Sequence, residues 1–109
     1  MTCVTFLTDP DGAIRGFETD GHAGFAEKGE DIVCAAISAL TINTVNSVET
    51  FAEDLFDCDE DEERGNIKFL LKAPASKEAK LLLDSYRLGI EEISKTYGHR
   101  FVRIGFKEV

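Results

Sequence analysis

Of the 109 residues in this sequence, three cysteines and two histidines are the side chains best suited to nucleophilic or base chemistry near neutral pH. Cys34 has the strongest physical claim. It follows Asp31, a good helix N-cap, by three positions, so it is expected in the first turn of a helix. The positive end of a helix macrodipole favours a thiolate, which is the nucleophilic form of cysteine. Unpartnered amides of the same turn could hold an oxyanion. The plainer alternative is a buried helical cysteine behaving as a small apolar residue.

His22 lies twelve positions before Cys34, where a strand gives way to a glycine-rich loop. Ala23, Gly24 and Gly29 belong to that loop, which has no periodicity and is expected to be mobile. An imidazole within reach of the thiol would form a Cys–His ion pair and serve as the base. Taken alone, it is also what an exposed loop histidine looks like. Asp31, one turn before Cys34, and Ser38, one turn after it, are candidates for orienting the pair or lining the site. Each has a simpler reading as well, Asp31 as a cap and Ser38 as a small packing residue.

The other candidates are weaker. Cys58 stands between Asp57 and Asp59, where like charge opposes a thiolate. Cys3 falls on a strand with no helix end nearby, and His99 follows a helix C-cap. Asp57-x-Asp59-x-Asp61 begins like a calcium loop, but Glu62 stands where glycine is needed and Lys68 where glutamate is needed. No metal site is expected. Three cysteines at irregular spacing suggest neither a disulfide framework nor a zinc site, and no resolving cysteine sits two or three residues from Cys34.

The elements that must position these residues follow from pattern. Thr2 to Thr8 alternates with Val4 and Phe6 on one face, Asp9-Pro10-Asp11-Gly12 is turn chemistry, and Ala13 to Thr19 returns as a second strand. From Asp31 to about Phe51 there is no glycine or proline, and Val33, Ile37, Leu40, Thr44 and Val48 form a helical stripe. Glu53 to Glu63 is acidic and reads as a solvated connection. Asn66 to Ala73 is a third strand with Ile67, Phe69 and Leu71 inward. Ser76 caps a second helix whose stripe runs through Ala79, Leu82, Leu83, Tyr86, Ile90, Ile93 and Tyr97 to a C-cap at Gly98. Arg100 to Lys107 is the last strand, with Val102, Ile104 and Phe106 inward.

The order ββαβαβ predicts an α+β, two-layer sandwich: a four-stranded sheet with two helices, forming one domain over residues 1–109. Its thin core makes dimerisation an ordinary expectation. No apolar run approaches the roughly 18 residues of a membrane span, and the first residues lack the pattern of a signal peptide, so a cytoplasmic protein is expected. A net charge of −9, from 21 acidic and 12 basic residues, argues against nucleic acid and anionic membrane as partners. It suits a basic partner.

Gly21-His22-Ala23, followed by Gly29-x-Asp31-Ile32-Val33-Cys34-Ala35 and Ser38, resembles the ribosomal-processing cysteine protease family, Prp. The local match covers roughly residues 20–48, and the order of elements fits along the whole chain. The resemblance implies a cytoplasmic bacterial endopeptidase that removes a short N-terminal extension from a large-subunit ribosomal protein, the one numbered twenty-seven. It implies a homodimer needing neither metal nor cofactor, with Cys34 and His22 as the catalytic residues and Asp31 and Ser38 near them. A competing expectation is a non-catalytic module that docks a basic ribosomal or assembly partner through its acidic run, with Cys34 buried and inert.

Overall fold

The computed structural model describes residues 1–21, 30–61 and 65–109, apart from the side chains of Glu30 and Asp31. The elements run β1 (Thr2–Thr8), β2 (Ile14–Asp20), α1 (Glu30–Phe51), β3 (Phe56–Asp61), β4 (Asn66–Leu71), α2 (Lys77–Tyr97) and β5 (Val102–Glu108). The sheet has five strands in the order β3-β4-β2-β1-β5, not the four expected. β1 runs antiparallel to β2 and parallel to β5, and β4 is antiparallel to both β2 and β3.

The additional strand is the acidic run itself. Its carboxylates made it read as a connection, but Phe56 and Cys58 pack against the core while Asp57 and Asp59 are exposed. A period of two is present beneath the charge. Among the described residues β3 pairs with β4 alone and forms a sheet edge, where exposed carboxylates discourage pairing with another chain.

The register sets the core. Cys58, Phe69, Phe17, Phe6 and Phe106 form one row across all five strands. Phe17 stacks on Phe69 at 5.1 Å between ring centres, and Tyr86 of α2 covers Phe17 at 4.5 Å. Such ring pairs add about 0.5–1.5 kcal/mol to the burial of their area. Tyr86 is buried, and its hydroxyl shares a 2.8 Å hydrogen bond with Thr41 of α1, joining the two helices above the sheet. Burial in that apolar setting pushes the Tyr86 phenol well up, and the Thr41 hydrogen bond only partly offsets this.

Two ends of the predicted stripes lie outside the core. Tyr97 is exposed because α2 ends there, and Phe106 is more than half exposed on the edge strand β5. Phe106 still rests one face on Phe6 and stacks with the Arg87 guanidinium at 4.8 Å. A correction also applies to α1. By length and composition Ile32–Phe51 could cross a membrane. Val33, Ile37 and Val48 are nevertheless in the core with β1, β2 and α2, as expected of a core helix.

α2 starts as predicted at Ser76, whose Oγ accepts from the Ala79 N–H at 3.1 Å. Asp54, from the segment joining α1 to β3, holds this cap by accepting from the Ser76 N–H at 2.8 Å and from the Ser76 hydroxyl. Burial alone would raise the Asp54 carboxyl, but the two Ser76 hydrogen bonds, together with one from its own backbone N–H, outweigh it and hold the group below its usual value. A depressed carboxylate stabilises the fold above the unfolded value, near 3.9, and that stability is lost as pH falls through the folded value. Asp54→Ala is expected to cost about 1–2 kcal/mol at pH 7. Urea melts should show the gap to wild type narrowing below about pH 4.

Candidate active site

At the end of the sheet beyond the row of Val4 and Thr19, large side chains give way to glycine. Gly21 follows β2 and donates its N–H to the Gly65 carbonyl at 3.1 Å, just before β4. Gly65 holds φ of +64°, and a Cβ there would come within 3.0 Å of the Gly21 carbonyl oxygen. Both the left-handed backbone and the close approach call for glycine. The space left above them is a cavity of about 250 Å³.

Cys34 enters that cavity from α1 and is half-buried. Its sulfur lies 3.5 Å from where a Gly21 Cβ would stand and accepts a hydrogen bond from the Thr2 hydroxyl at 3.6 Å. Ser38 lies one turn further along α1, exposed and lining the same cavity. Ile37, Ile42 and Ile67 give the cavity apolar walls, and Glu60 and Asp61 bring carboxylates from the end of β3. The space therefore offers a thiol, apolar surface and negative charge.

His22, Ala23, Gly24 and Gly29 lie outside the described residues, as does the side chain of Asp31. The helix also starts earlier than predicted. With α1 beginning at Glu30, Asp31 is inside the helix instead of capping it, and Cys34 is its fifth residue. Two acidic residues opening the helix complement its positive end, so the boundary moved by two residues without losing that electrostatic match. The consequence for Cys34 is real: unpartnered amides belong to the turn before it, and the dipole's effect fades within that turn.

The rival thiols fall away on structural grounds. Burial, then the charges of Glu60 and Asp59, push the Cys58 thiol up and away from reactivity. Cys3 pairs with Asp20 and Arg103, on the sheet face away from Val4 and Phe6. Among the described residues no group of three or more His, Cys, Asp or Glu could hold a metal.

The family model for cysteine protease Prp matches residues 1–102. This chain belongs to the Prp family of cysteine proteases. The ribosomal processing cysteine protease Prp of Bacillus subtilis is 36% identical over 101 residues, covering 89% of this chain and 90% of the relative. The crystal structure of an essential ribosomal processing protease Prp from S. aureus with a substrate peptide superposes with a TM-score of 0.91. It is 26% identical and covers 98% of this chain and all of its own. The same protease with a covalently linked product peptide gives a TM-score of 0.86 at 27% identity, with the same coverage. The chain is thus an enzyme, a cysteine protease, and the expectation of a non-catalytic acidic module gives way.

Thr2, Thr19, Gly21 and Gly65 were not singled out in the sequence, and the acidic run was weighed as a calcium loop or a docking surface but not as part of this site. Thr2 and Gly65 are 32 and 31 positions from Cys34, and only the sheet register gathers them. Gly21 alone carried a signal, as the residue before His22.

Proposed function

We propose that this chain is an endopeptidase in which Cys34 is the nucleophile and His22 the base. Its substrate is the N-terminal extension of a basic large-subunit ribosomal protein, the one numbered twenty-seven. The observation that carries the dyad is the packing of Gly21 against the Cys34 sulfur, because His22 is the next residue in the chain.

The chemistry is acyl transfer. The Cys34 thiolate attacks the scissile carbonyl, and amides at the start of α1 hold the oxyanion. His22 takes the thiol proton and returns it to the leaving amine, giving a thioester that water hydrolyses. Asp31 and Ser38 are the candidates for fixing the imidazole and the peptide. The relative held with a covalently linked product peptide supports a covalent route. The names of the relatives support ribosomal processing.

The charge supports the substrate class. A net charge of −9 draws a basic polypeptide, and Glu60 and Asp61 place part of that charge at the cavity. In this reading the protein works in the cytoplasm as a homodimer, without cofactor and without contacting nucleic acid or membrane.

The test is incubation with the uncut ribosomal protein, followed by mass spectrometry of the products. Wild type is expected to release the N-terminal extension, and Cys34→Ala is expected to release none. Cleavage that survives Cys34→Ala refutes the assignment of the nucleophile.

A further inference from the structure

Thr2 opens β1, between β2 and β5, and is nearly inaccessible at 3% exposure. Its backbone is fixed on the sheet: the N–H donates to the Phe101 carbonyl at 2.9 Å, and the residue pairs with Val102 of β5. Its side chain is on the helix-facing side, where the hydroxyl donates to Cys34 Sγ at 3.6 Å. The distance is ordinary for a sulfur acceptor, which is larger than oxygen. A small-residue neighbourhood leaves the sulfur open on another side, with Gly21 beside it.

We infer that Thr2 is a positioning residue for the nucleophile, its hydroxyl holding the Cys34 sulfur at the sheet and facing the cavity. The inference rests on the protease reading for its consequence in catalysis, but not for its effect on the thiol. A hydroxyl fixed on a strand and bonded to the sulfur limits the rotamers open to the Cys34 side chain. The role of the anchor is geometric. α1 and β1 are distant in sequence, and this bond ties the reactive atom on the helix to a strand held on both sides.

The consequence is specific to the hydroxyl. Thr2→Val keeps the branched shape and the strand preference while removing the donor. Thr2→Ser keeps the donor and loses only a methyl group.

The experiment is the rate of iodoacetamide alkylation at Cys34 at one fixed pH, read by mass spectrometry on the peptide that contains it, beside steady-state kinetics on a peptide substrate. Folding is checked by circular dichroism and thermal melts. In Thr2→Val the released sulfur leaves its cavity-facing rotamer, so alkylation is expected to slow about three- to tenfold. Thr2→Ser should remain at the wild-type rate. With a peptide substrate, kcat/KM should fall by the same factor in Thr2→Val, through kcat and not KM, and Thr2→Ser should restore it. A folded Thr2→Val with the wild-type alkylation rate overturns the inference. Should Thr2→Val fail to fold, Thr2→Ala against Thr2→Ser makes the same comparison, and equal rates overturn the inference there. Alkylation needs no proteolysis, so the two proposals fail separately. A wild type that cuts nothing ends the protease reading and leaves the change in alkylation standing, whereas an unchanged alkylation rate beside normal cleavage ends the role of Thr2.

Discussion

His22→Ala is expected to lower kcat for peptide cleavage by about 10²–10⁴-fold, with KM little changed. The loss has two sources in the proposed route. Without the imidazole, no base takes the Cys34 proton as the sulfur attacks. The leaving amine must also depart without a proton donor, which slows acylation further. Substrate binding relies on other groups, the apolar walls from Ile37, Ile42 and Ile67 and the carboxylates at the end of β3, so KM should hold. Steady-state kinetics on a peptide spanning the cut checks both parameters. A His22→Ala enzyme with kcat near that of wild type removes the base from the mechanism. His99, exposed beyond α2, serves as a control whose replacement should leave kcat unaltered.

The largest effect on stability is expected at Gly16, a buried residue of β2. A Cβ built there would fall 2.0 Å from the Phe69 carbonyl oxygen and 3.0 Å from the Leu70 Cα, both backbone atoms of β4. Backbone in a paired strand cannot rotate aside as a side chain can, so β2 and β4 would have to part. The neighbouring register already shifts between Leu7 and Thr8 of β1, leaving little slack on the other side of β2. Overpacking ordinarily costs about 1–3 kcal/mol, and Gly16→Ala belongs at or above the top of that range. For a domain of this size, about 3 kcal/mol corresponds to a fall in Tm of roughly 10–20 °C. Differential scanning calorimetry checks this. An unchanged Tm would mean that the two strands separate freely.

Helix and strand identities were largely legible because their apolar periods are strong and their punctuation is explicit. Asp9-Pro10-Asp11-Gly12, the Ser76 cap and the Gly98 stop each act within a few residues, so local chemistry decides them. β3 was missed for the opposite reason. Its charge is what an edge strand tolerates on its exposed side, while its inward Phe56 and Cys58 gain meaning only once β4 lies beside them. The start of α1 shifted by two residues because Glu30 and Asp31 both suit the first turn.

Within the site, the sequence by itself singled out Cys34 as the thiol with a reason to react and His22 as its candidate partner. Residue type, helix position and the glycine-rich segment between them are local properties. Tertiary structure decided what surrounds the sulfur. The pairing of β1 with β2 and β5 brings in Thr2, the close approach of Gly21 to Gly65 opens the cavity, and β3 supplies Glu60 and Asp61. These contacts join residues 13 to 32 positions from Cys34, and no local preference encodes such separations. They arise when the aromatic row of the sheet is buried beneath two helices, because burying that row fixes the register and the register fixes the site.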